Sequence, residues 1–509
     1  MALAPQARIG AEECEAALRR LVVEAAYSSA TTALTSGVIL TAFALHLGAN
    51  NLAIGILASA PFLSQLLQAP AVLLVERLRQ RKRIAVLSSI IGRSMLLLMG
   101  AAVLLPAPAA LIAIALGQFV LCGMSAFGAC AWNAWLRDLA PESRLGEVFA
   151  RRTTYSAAVS LGVGLAGAFL LDRTASGSDL RGWAFAALYA VGCIAGMISA
   201  AVVSRIPEPL MPRRDQKMGL GALLREPFAD GNFRRLMVFL SSWQFAVNLA
   251  TPFFTVFFVR QLGYDMTFVM ILSVVSQIAN LFALRNWGIL SDRFTNKSTL
   301  LVAAPLYIVC IVAMIGASQI THRDTATAYL VLLHMVMGMS VAGVTLATTN
   351  IALKLSPKGA ATAYVAANAL VTSAAAGIAP IVGGAFADFF SARRLELILR
   401  WTSPEGILMF APLKLSHWDF YFLIAGVLGL AALTRLGLVR EEGEIKRREM
   451  VQQILHQTRR SVRNLSTVSG LRALTELPSG LIRETQIRLR FVRMQRRRAN
   501  HVRWEPSRG

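Results

Sequence analysis

Charged residues are scarce in this chain of 509 residues. Asp, Glu, Lys and Arg together make up 16% of it, whereas hydrophobic residues make up 55%, and the mean hydropathy is +0.56. This balance excludes an ordinary soluble globular protein and is typical of a chain that lies in a lipid bilayer. Acidic residues are fewer than basic ones, with 28 Asp and Glu against 51 Lys and Arg, so the formal net charge is +23.

Cysteine is also uncommon. The five residues, Cys14, Cys122, Cys130, Cys193 and Cys310, lie mostly inside apolar stretches and show no paired spacing of the kind that holds a metal. We therefore expect them to pack as small apolar side chains, with no disulfide and no metal site. The sequence has no Walker-type phosphate loop and no catalytic cluster, which argues against an ATP-driven pump and against an enzyme. We expect no cofactor.

Long hydrophobic runs are abundant. A bilayer core of about 30 Å needs roughly 20 apolar residues per helix, and twelve stretches meet this requirement: 21–47, 52–75, 84–105, 109–135, 151–171, 183–204, 236–260, 266–286, 299–320, 326–353, 361–387 and 417–439. Residues 1–20 contain several acids before Arg19 and Arg20 and no cleavage site for a signal peptidase. We expect them to be a cytoplasmic lead-in.

Basic residues are concentrated in alternate loops, which predicts the orientation of the chain. Loops 76–83, 136–152 and 205–235 hold five, four and seven Lys or Arg residues, while loops 48–51 and 106–108 hold none. Because cytoplasmic loops carry the excess of Lys and Arg, both termini should be cytoplasmic. The segment from Asp388 to Lys414 also holds four basic residues, but long loops obey this rule less well.

Short matches recur at an almost constant offset, which indicates an internal repeat. The run LRRLVV at 18–23 matches FRRLMV at 233–238, and AGAFLLD at 166–172 matches GGAFADF at 383–389. Between them, Glu76 and Arg77 match Asp292 and Arg293. An even number of spans per half makes the two copies parallel. We predict two six-helix bundles, 21–204 and 236–439, joined by a cytoplasmic linker at 205–235.

These features resemble the major facilitator superfamily of secondary transporters. The family's loop signature, Gly-x-Leu-x-Asp-Arg-x-Gly-Arg/Lys-Arg/Lys, is matched at five positions and has Thr295 in place of its second glycine; the matches are Gly288, Leu290, Asp292, Arg293 and Lys297. In the first copy, Val72 replaces the first glycine and Glu76 the aspartate.

A second element of the same family is displaced in this chain. Pro380, Gly383 and Gly384 resemble the family's Pro-x-x-Gly-Gly element, which drug antiporters usually carry in the fifth span. Here the element lies in the eleventh span, and the fifth has glycines but no proline. This departure argues against a straightforward drug/proton antiporter.

The resemblance implies an alternating-access fold, in which a solute site lies near the midplane between two halves that rock about it. It also implies that the repeated charged loop is a conformational latch between the halves, formed by Glu76, Arg77, Gly288, Asp292 and Arg293. The alternative is that Asp292 and Arg293 only follow the positive-inside rule and cap a turn.

Polar residues inside the spans predict where a solute binds, because unpaired polar groups are costly in a membrane. By resemblance, spans one, four, seven and ten line the path. Arg93 lies nine residues into span three, about 13 Å deep at 1.5 Å per residue. The predicted solute-binding residues are Gln244, Asn248, Arg93, His334, Trp132 and Asn133. The alternatives are hydrogen bonding between packed helices and, for Arg93, snorkelling to the interface.

Carboxylates are absent from the middle of every predicted span. Proton coupling therefore has few carriers, and the candidates are Glu24, Asp138 and His334. Uniport is the alternative.

The final segment, 440–509, carries seventeen Arg and Lys residues against seven acids, with apolar residues at helical intervals. This pattern predicts a basic amphipathic tail that contacts anionic lipid headgroups rather than nucleic acid.

The sequence favours an all-α, multi-pass membrane protein, a monomer that moves a small polar or anionic solute across a bacterial inner (plasma) membrane. The alternative is a non-transporting protein of the same fold, acting as an assembly factor or lipid-interacting scaffold. Polar residues within the spans favour the first interpretation. The scarcity of titratable groups and the long tail favour the second.

Overall fold

The structure is a computed structural model that describes residues 5–6, 9–139, 145–211, 220–357, 361–403 and 406–441. The chain divides into two units, Met1–Glu444 and Ile445–Gly509, and the described residues all belong to the first. The predicted basic tail, 440–509, lies outside the described residues except for Arg440 and Glu441. Its contact with lipid headgroups stays a prediction.

The described chain contains twelve helical spans long and apolar enough to cross a membrane, which confirms the predicted all-α membrane fold. The first half consists of α1 (Ala11–Thr35), α2 (Val38–His46), α3 (Asn51–Ser64), α4 (Gln68–Leu78), α5 (Arg81–Ala101), α6 (Ala107–Leu139), α7 (Leu145–Asp172) and α8 (Asp179–Val203). The second half consists of α9 (Leu220–Ala229), α10 (Gly231–Ala250), α11 (Phe254–Val256), α12 (Met266–Arg293), α13 (Asn296–Gln319), α14 (Arg323–Lys354), α15 (Ala361–Phe390) and α16 (Trp418–Leu436).

Four spans contain more than one helical segment. Span 1 contains α1 and α2, and span 2 contains α3, a 3₁₀ turn at Gln65–Leu67 and α4. In span 3, a 3₁₀ turn at Ala102–Leu104 follows α5. Span 7 contains α10, a 3₁₀ turn at Thr251–Phe253, α11 and a π-helical turn at Phe257–Gln261. Helix α9 lies within the predicted linker, 205–235, of which residues 212–219 are outside the described part of the chain.

Helix packing is the same in the two halves. In the first, α1 packs against α7 and α8, and α5 packs against α6 and α8. In the second, α10 packs against α15 and α16, and α13 packs against α14 and α16. The predicted pair of parallel six-helix repeats is therefore confirmed.

A β-hairpin occupies the segment between the last two spans, where we expected a loop. Strand β1 (Arg394–Ser403) pairs antiparallel with β2 (Gly406–Ser416), and their register shifts between Leu397 and Leu399. In β1, Leu395, Leu397 and Leu399 recur at every second position, which is the period-two pattern of a strand. This pattern could have predicted the hairpin from the sequence, whereas the basic residues of the segment could not.

Large apolar side chains lie on the outside of the bundle as well as in its core. Phe282 is 79% exposed and Val309 60%, while Phe43, Phe185 and Tyr189 are fully buried in the first half. Apolar residues all round a helix are typical of a membrane span, because lipid tails solvate the outer face. The core of the second half is an aromatic cluster of Phe253, Phe257, Trp418, Tyr421 and Phe422.

Two carboxylates cap helices within their own half. We call the face where α1 begins and α16 ends the terminal face. The other side is the opposite face. At the terminal face, Glu208 accepts hydrogen bonds from the backbone N–H groups of Arg81 (2.8 Å) and Lys82 (3.1 Å), at the start of α5. Glu441 accepts from Asn296 (3.4 Å) and Lys297 (2.7 Å), at the start of α13.

Two further carboxylates cap helices of the other half. At the opposite face, Asp388 at the end of α15 accepts from the backbone N–H groups of Asn51 (3.1 Å) and Leu52 (2.9 Å), at the start of α3. Asp172 at the end of α7 accepts from Met266 (3.0 Å) and Thr267 (2.6 Å), at the start of α12. The internal repeat thus supplies a symmetric pair of bonds that join the two halves.

Close backbone packing accompanies these caps. A Cβ atom added at Gly55 of α3 would overlap the carbonyl oxygen of Pro380 in α15, and one added at Gly384 would overlap that of Asn51. The guanidinium of Arg260 donates to the carbonyl of Ala49 at 2.9 Å. The two halves are therefore in direct contact at the opposite face, which is closed.

Candidate functional site

Helix interruptions in spans 1, 2 and 7 surround one cavity. Between α1 and α2, Gly37 has φ +58°, a left-handed conformation that favours glycine. In span 2, Pro61 precedes the 3₁₀ turn, and in span 7 Pro252 lies within one. Proline removes a main-chain donor and a helical hydrogen bond. Gly37, Pro61 and Pro252 all line the same space, which we call the central cavity.

The central cavity has a volume of about 750 Å³ and lies between the two halves. Ser and Thr hydroxyls line it from spans 1, 4, 7 and 8, together with the amide side chains of Gln118, Asn248, Gln277 and Asn280. Arg93 is the one Arg, Lys, Asp or Glu residue among the described residues of this lining. The surface is thus polar but nearly uncharged.

Most hydroxyl groups of this lining donate their proton to a main-chain carbonyl of the protein. Thr31 donates to the carbonyl of Gly192 at 3.0 Å, and Thr251 donates to that of Val247 at 2.7 Å. The side-chain N–H of Asn248 donates to the carbonyl of Gln244 at 2.8 Å. Such groups keep free oxygen lone pairs. The lining therefore offers acceptors that suit a solute with hydroxyl or N–H groups.

A second space, the vestibule, adjoins the central cavity and has a volume of about 640 Å³. The two share Asn248, Thr251 and Tyr307 in their linings. From there the vestibule extends along α14 to Leu353, one residue before the end of that helix at the terminal face. It provides a path from the central cavity toward the terminal face.

A third space, the side cavity, lies within the first half and has a volume of about 200 Å³. Glu24, Arg93, Trp132 and Arg152 line it. The guanidinium of Arg152 is 3.1 Å from a carboxylate oxygen of Glu24, and its centre is 5.7 Å from the Trp132 ring. The second oxygen of Glu24 accepts from the Ser199 hydroxyl at 3.3 Å.

The predicted solute-binding residues are distributed over these three spaces. Asn248, His334 and Arg93 line the central cavity, Gln244 lines the vestibule and Trp132 lines the side cavity. The sixth, Asn133, is exposed and is not part of these linings. His334 is buried, with its Nδ1 atom 2.8 Å from the carbonyl of Leu330 and its ring centre 5.5 Å from that of Phe258.

Sequence reasoning missed Tyr307 of span 9. Its hydroxyl lies 3.4 Å from that of Thr251, and it lines both the central cavity and the vestibule. Nothing in the local pattern marks it, because a single tyrosine in an apolar run is usually a packing residue. Its role depends on the position of span 9 relative to span 7.

The three candidates for proton coupling lie in different surroundings. Glu24 lines the side cavity and His334 the central cavity. Asp138 lies at the terminal face, where its carboxylate is 2.5 Å from the guanidinium of Arg81. It is not part of the lining of the three spaces.

The predicted latch residues lie at the terminal face, in the last turns of α4 and α12. Glu76, Arg77, Asp292 and Arg293 are all exposed, and within the described chain the carboxylates of Glu76 and Asp292 have no hydrogen-bond partner. Gly288 lies one turn earlier in α12, in open space near Leu346. Among the described residues, no ion pair joins these charged turns to the other half.

Two parallel halves meet at one face, and a cavity bounded by broken helices lies between them. This is the architecture of a membrane transporter for small solutes. A family model, the Major Facilitator Superfamily, matches residues 25–349. The chain belongs to this superfamily and is a multi-pass membrane protein.

Solved structures share the fold. The nucleoside transporter NupG is 14% identical, with a TM-score of 0.60 over 83% of this chain and 98% of that one. A bacterial homolog of the human lysosomal transporter Spinster, inward-facing and occupied, is 14% identical, with a TM-score of 0.61 over 85% and 97%. The xylose transporter XylE from E. coli, inward open, is 13% identical, with a TM-score of 0.60 over 86% and 99%. No curated protein sequence matches this chain.

Proposed function

We propose that this protein is a secondary transporter that moves a small polar or anionic solute across the inner (plasma) membrane of a bacterium by alternating access. The observation that carries the proposal is the central cavity of about 750 Å³, which lies between the halves and continues into the vestibule. A solute in it would be shielded at the opposite face by the caps of Asp172 and Asp388. We propose that the transporter works as a monomer, a proposal supported by a central cavity that one chain lines.

In our proposal the terminal face is cytoplasmic. Supporting this orientation, the basic loop 76–83 and the described residues of loop 205–235 lie at that face, and an excess of Lys and Arg marks the cytoplasmic side. The structure then corresponds to an inward-facing state, closed to the outside. The latch of Glu76, Arg77, Gly288, Asp292 and Arg293 would form at this face in the alternate, outward-facing state.

Proton coupling in this proposal depends on Glu24, with His334 as the second candidate. Glu24 is 6% exposed and paired with Arg152, so protonation would release that arginine within a cavity that adjoins the solute site. Asp138 is the weaker candidate, because it lies outside the three cavities. We expect Glu24→Gln to abolish stimulation of uptake by a pH gradient while exchange of solute without a gradient persists.

The decisive experiment is uptake into proteoliposomes that contain the purified full-length protein. Labelled sugars, sugar acids, sugar phosphates and nucleosides would be tested with and without a pH gradient, against liposomes lacking protein. The proposal requires saturable uptake of at least one solute. Its absence across the panel would favour the alternative, a non-transporting scaffold of the same fold.

A further inference from the structure

The side cavity contains more positive than negative charge. Two guanidinium groups, those of Arg93 and Arg152, and one carboxylate, that of Glu24, are the charged groups among its described lining residues. The carboxylate of Glu24 already forms an ion pair with Arg152 at 3.1 Å and accepts a hydrogen bond from the Ser199 hydroxyl. Within the part of the chain that the structure describes, the positive charge of Arg93 is left without a paired carboxylate.

Two hydrogen bonds hold the guanidinium of Arg93 in place, but they use only part of its N–H donors. It donates to the carbonyl oxygen of Gly196 and to the Ser28 hydroxyl (3.4 Å), and a Cβ added at Gly196 would collide with its side chain. A guanidinium has five N–H donors, so these two bonds leave three without a partner among the described residues. A charged side chain in a membrane interior is costly unless it is paired. A bound anion would supply that partner.

Arg93 also connects the side cavity to the solute site. Together with Ser28 and Ser125 it lines both the side cavity and the central cavity. A group bound at Arg93 can therefore belong to a solute whose remainder lies in the central cavity. At about 200 Å³, the side cavity has the volume of about six or seven water molecules, which is sufficient for a carboxylate or phosphate group.

The central cavity requires a different chemistry at the other end of the solute. Gln118 lines it, is 3% exposed, and its side-chain carbonyl oxygen has no partner among the described residues. The neighbouring hydroxyls already donate to main-chain carbonyls, as Thr251 does to Val247. These groups would accept hydrogen bonds from hydroxyl groups of a solute.

We propose that the transported solute is a hydroxylated molecule with one anionic group, a carboxylate or a phosphate. The anionic group binds Arg93 in the side cavity, and the hydroxylated part lies in the central cavity near Gln118. This inference rests on the proposed function and specifies its substrate class. A cationic solute would place a further positive charge beside Arg93, and a neutral solute would leave that arginine unpaired.

The test uses pairs of solutes that differ only in the charged group. Proteoliposomes containing the full-length protein would be given D-glucose or D-glucuronate, D-xylose or D-xylonate, glycerol or glycerol 3-phosphate, and uridine or uridine 5′-monophosphate. We expect uptake of the anionic member of at least one pair, in preference to its neutral partner. The same anion should raise the melting temperature of the purified protein.

Variants of Arg93 separate binding from folding. Arg93→Gln should lower uptake of the anion roughly tenfold or more, the effect of losing a hydrogen bond to a charged group. Arg93→Lys keeps the charge and should retain part of the uptake. The control is Arg151→Gln, because Arg151 is on the same helix as Arg152 but is 67% exposed and paired with Glu147; it should leave uptake unchanged.

The outcomes distinguish the two proposals. Preferred uptake of neutral members, or loss of anionic and neutral uptake to the same extent in a folded Arg93→Gln protein, would overturn the anionic class and leave the transporter function intact. Absence of uptake for every solute, in wild-type protein that melts cooperatively, would count against the transporter function, and the anionic class would be rejected with it.

Discussion

Asn248 bonds to the main chain of its own helix and also lines the central cavity. Its N–H donates to the main chain of Gln244, and its carbonyl oxygen is available to the central cavity. We predict that Asn248→Ala raises the apparent KM by a factor equivalent to about 1–3 kcal/mol of binding free energy. This is the cost of a polar group left without its partner. The measurement is the concentration dependence of initial uptake in proteoliposomes.

Gln244 provides a matched comparison one turn away. It lines the vestibule and is not part of the central cavity's lining. Gln244→Ala should therefore change KM less than Asn248→Ala does. Equal effects of the two substitutions would indicate that solute binds at the junction of the two spaces instead of within the central cavity.

The caps formed by Asp172 and Asp388 join whole helices across the closed face. A carboxylate at a helix N-terminus accepts from main-chain N–H groups and interacts favourably with the helix dipole. Replacement by Asn removes the charge and one acceptor oxygen, and loss of a negative charge at a helix N-terminus costs about 0.3–1 kcal/mol per cap. The double variant Asp172→Asn/Asp388→Asn should therefore shift the equilibrium toward an open face by a factor of about 3–30.

Spin labels can measure this opening. In a cysteine-free background, labels at Ser176 and Ser391 place one probe on each half at the opposite face. We expect the double variant to populate longer label distances than the parent. Asp265→Asn is the control, because Asp265 lies at the same face, immediately before α12, and makes no side-chain capping bond. An unchanged distance in the double variant would show that glycine packing alone holds the face closed.

The charged turns at the ends of α4 and α12 require a different experiment. Asp292 is exposed and has no partner among the described residues, so Asp292→Asn should not change the melting temperature of this state. If the latch forms in the alternate state, transport should slow about tenfold, equivalent to about 1.4 kcal/mol on the barrier. Asp324→Asn, at an exposed site in the first turn of α14, is the control. A loss of stability that matches the loss of transport would support simple capping.

Orientation concerns the whole molecule. Twelve spans place both ends of the bundle at one face, and the basic loops predict that this face is cytoplasmic. Reporter fusions after Arg214 and after Gly509 should both give cytoplasmic signals in cells. A periplasmic signal from either fusion would reverse the assignment of the structure as inward-facing and would require a different number of spans or an inverted insertion.

Much of the fold was predictable because its signals are local. The length of each apolar stretch identifies each span. The repeat is identified by matched residues, such as Glu76 and Asp292, that are separated by an almost constant number of positions. The boundaries were less accurate. Span 7 begins at Gly231 and not at 236, because Asp230 caps the helix by accepting from Asn232 and Phe233. Asp292 and Arg293 lie in the last turn of α12 and not in a loop.

Much less of the candidate site was predictable. Helical spacing places Gln244 and Asn248 on one face of α10, and in the structure both line the vestibule, but of the two only Asn248 also lines the central cavity. Arg152 belongs to the predicted loop 136–152, yet in the structure it pairs with Glu24 in the side cavity. These assignments depend on how neighbouring helices are rotated and shifted, which no single span encodes in its hydrophobic pattern.

The sequence by itself determined the twelve spans, their parallel repeat and the concentration of positive charge in alternate loops. Each of these follows from hydrophobic length or charge within a short stretch, measured against the thickness of a bilayer. Tertiary structure decided which polar groups share a cavity and which face is closed. Those outcomes depend on contacts between residues far apart in the chain, such as Asp388 with Asn51, separated by 337 positions. In the proposed alternating-access mechanism they also depend on which of two arrangements of the halves is adopted, because the same sequence must allow both.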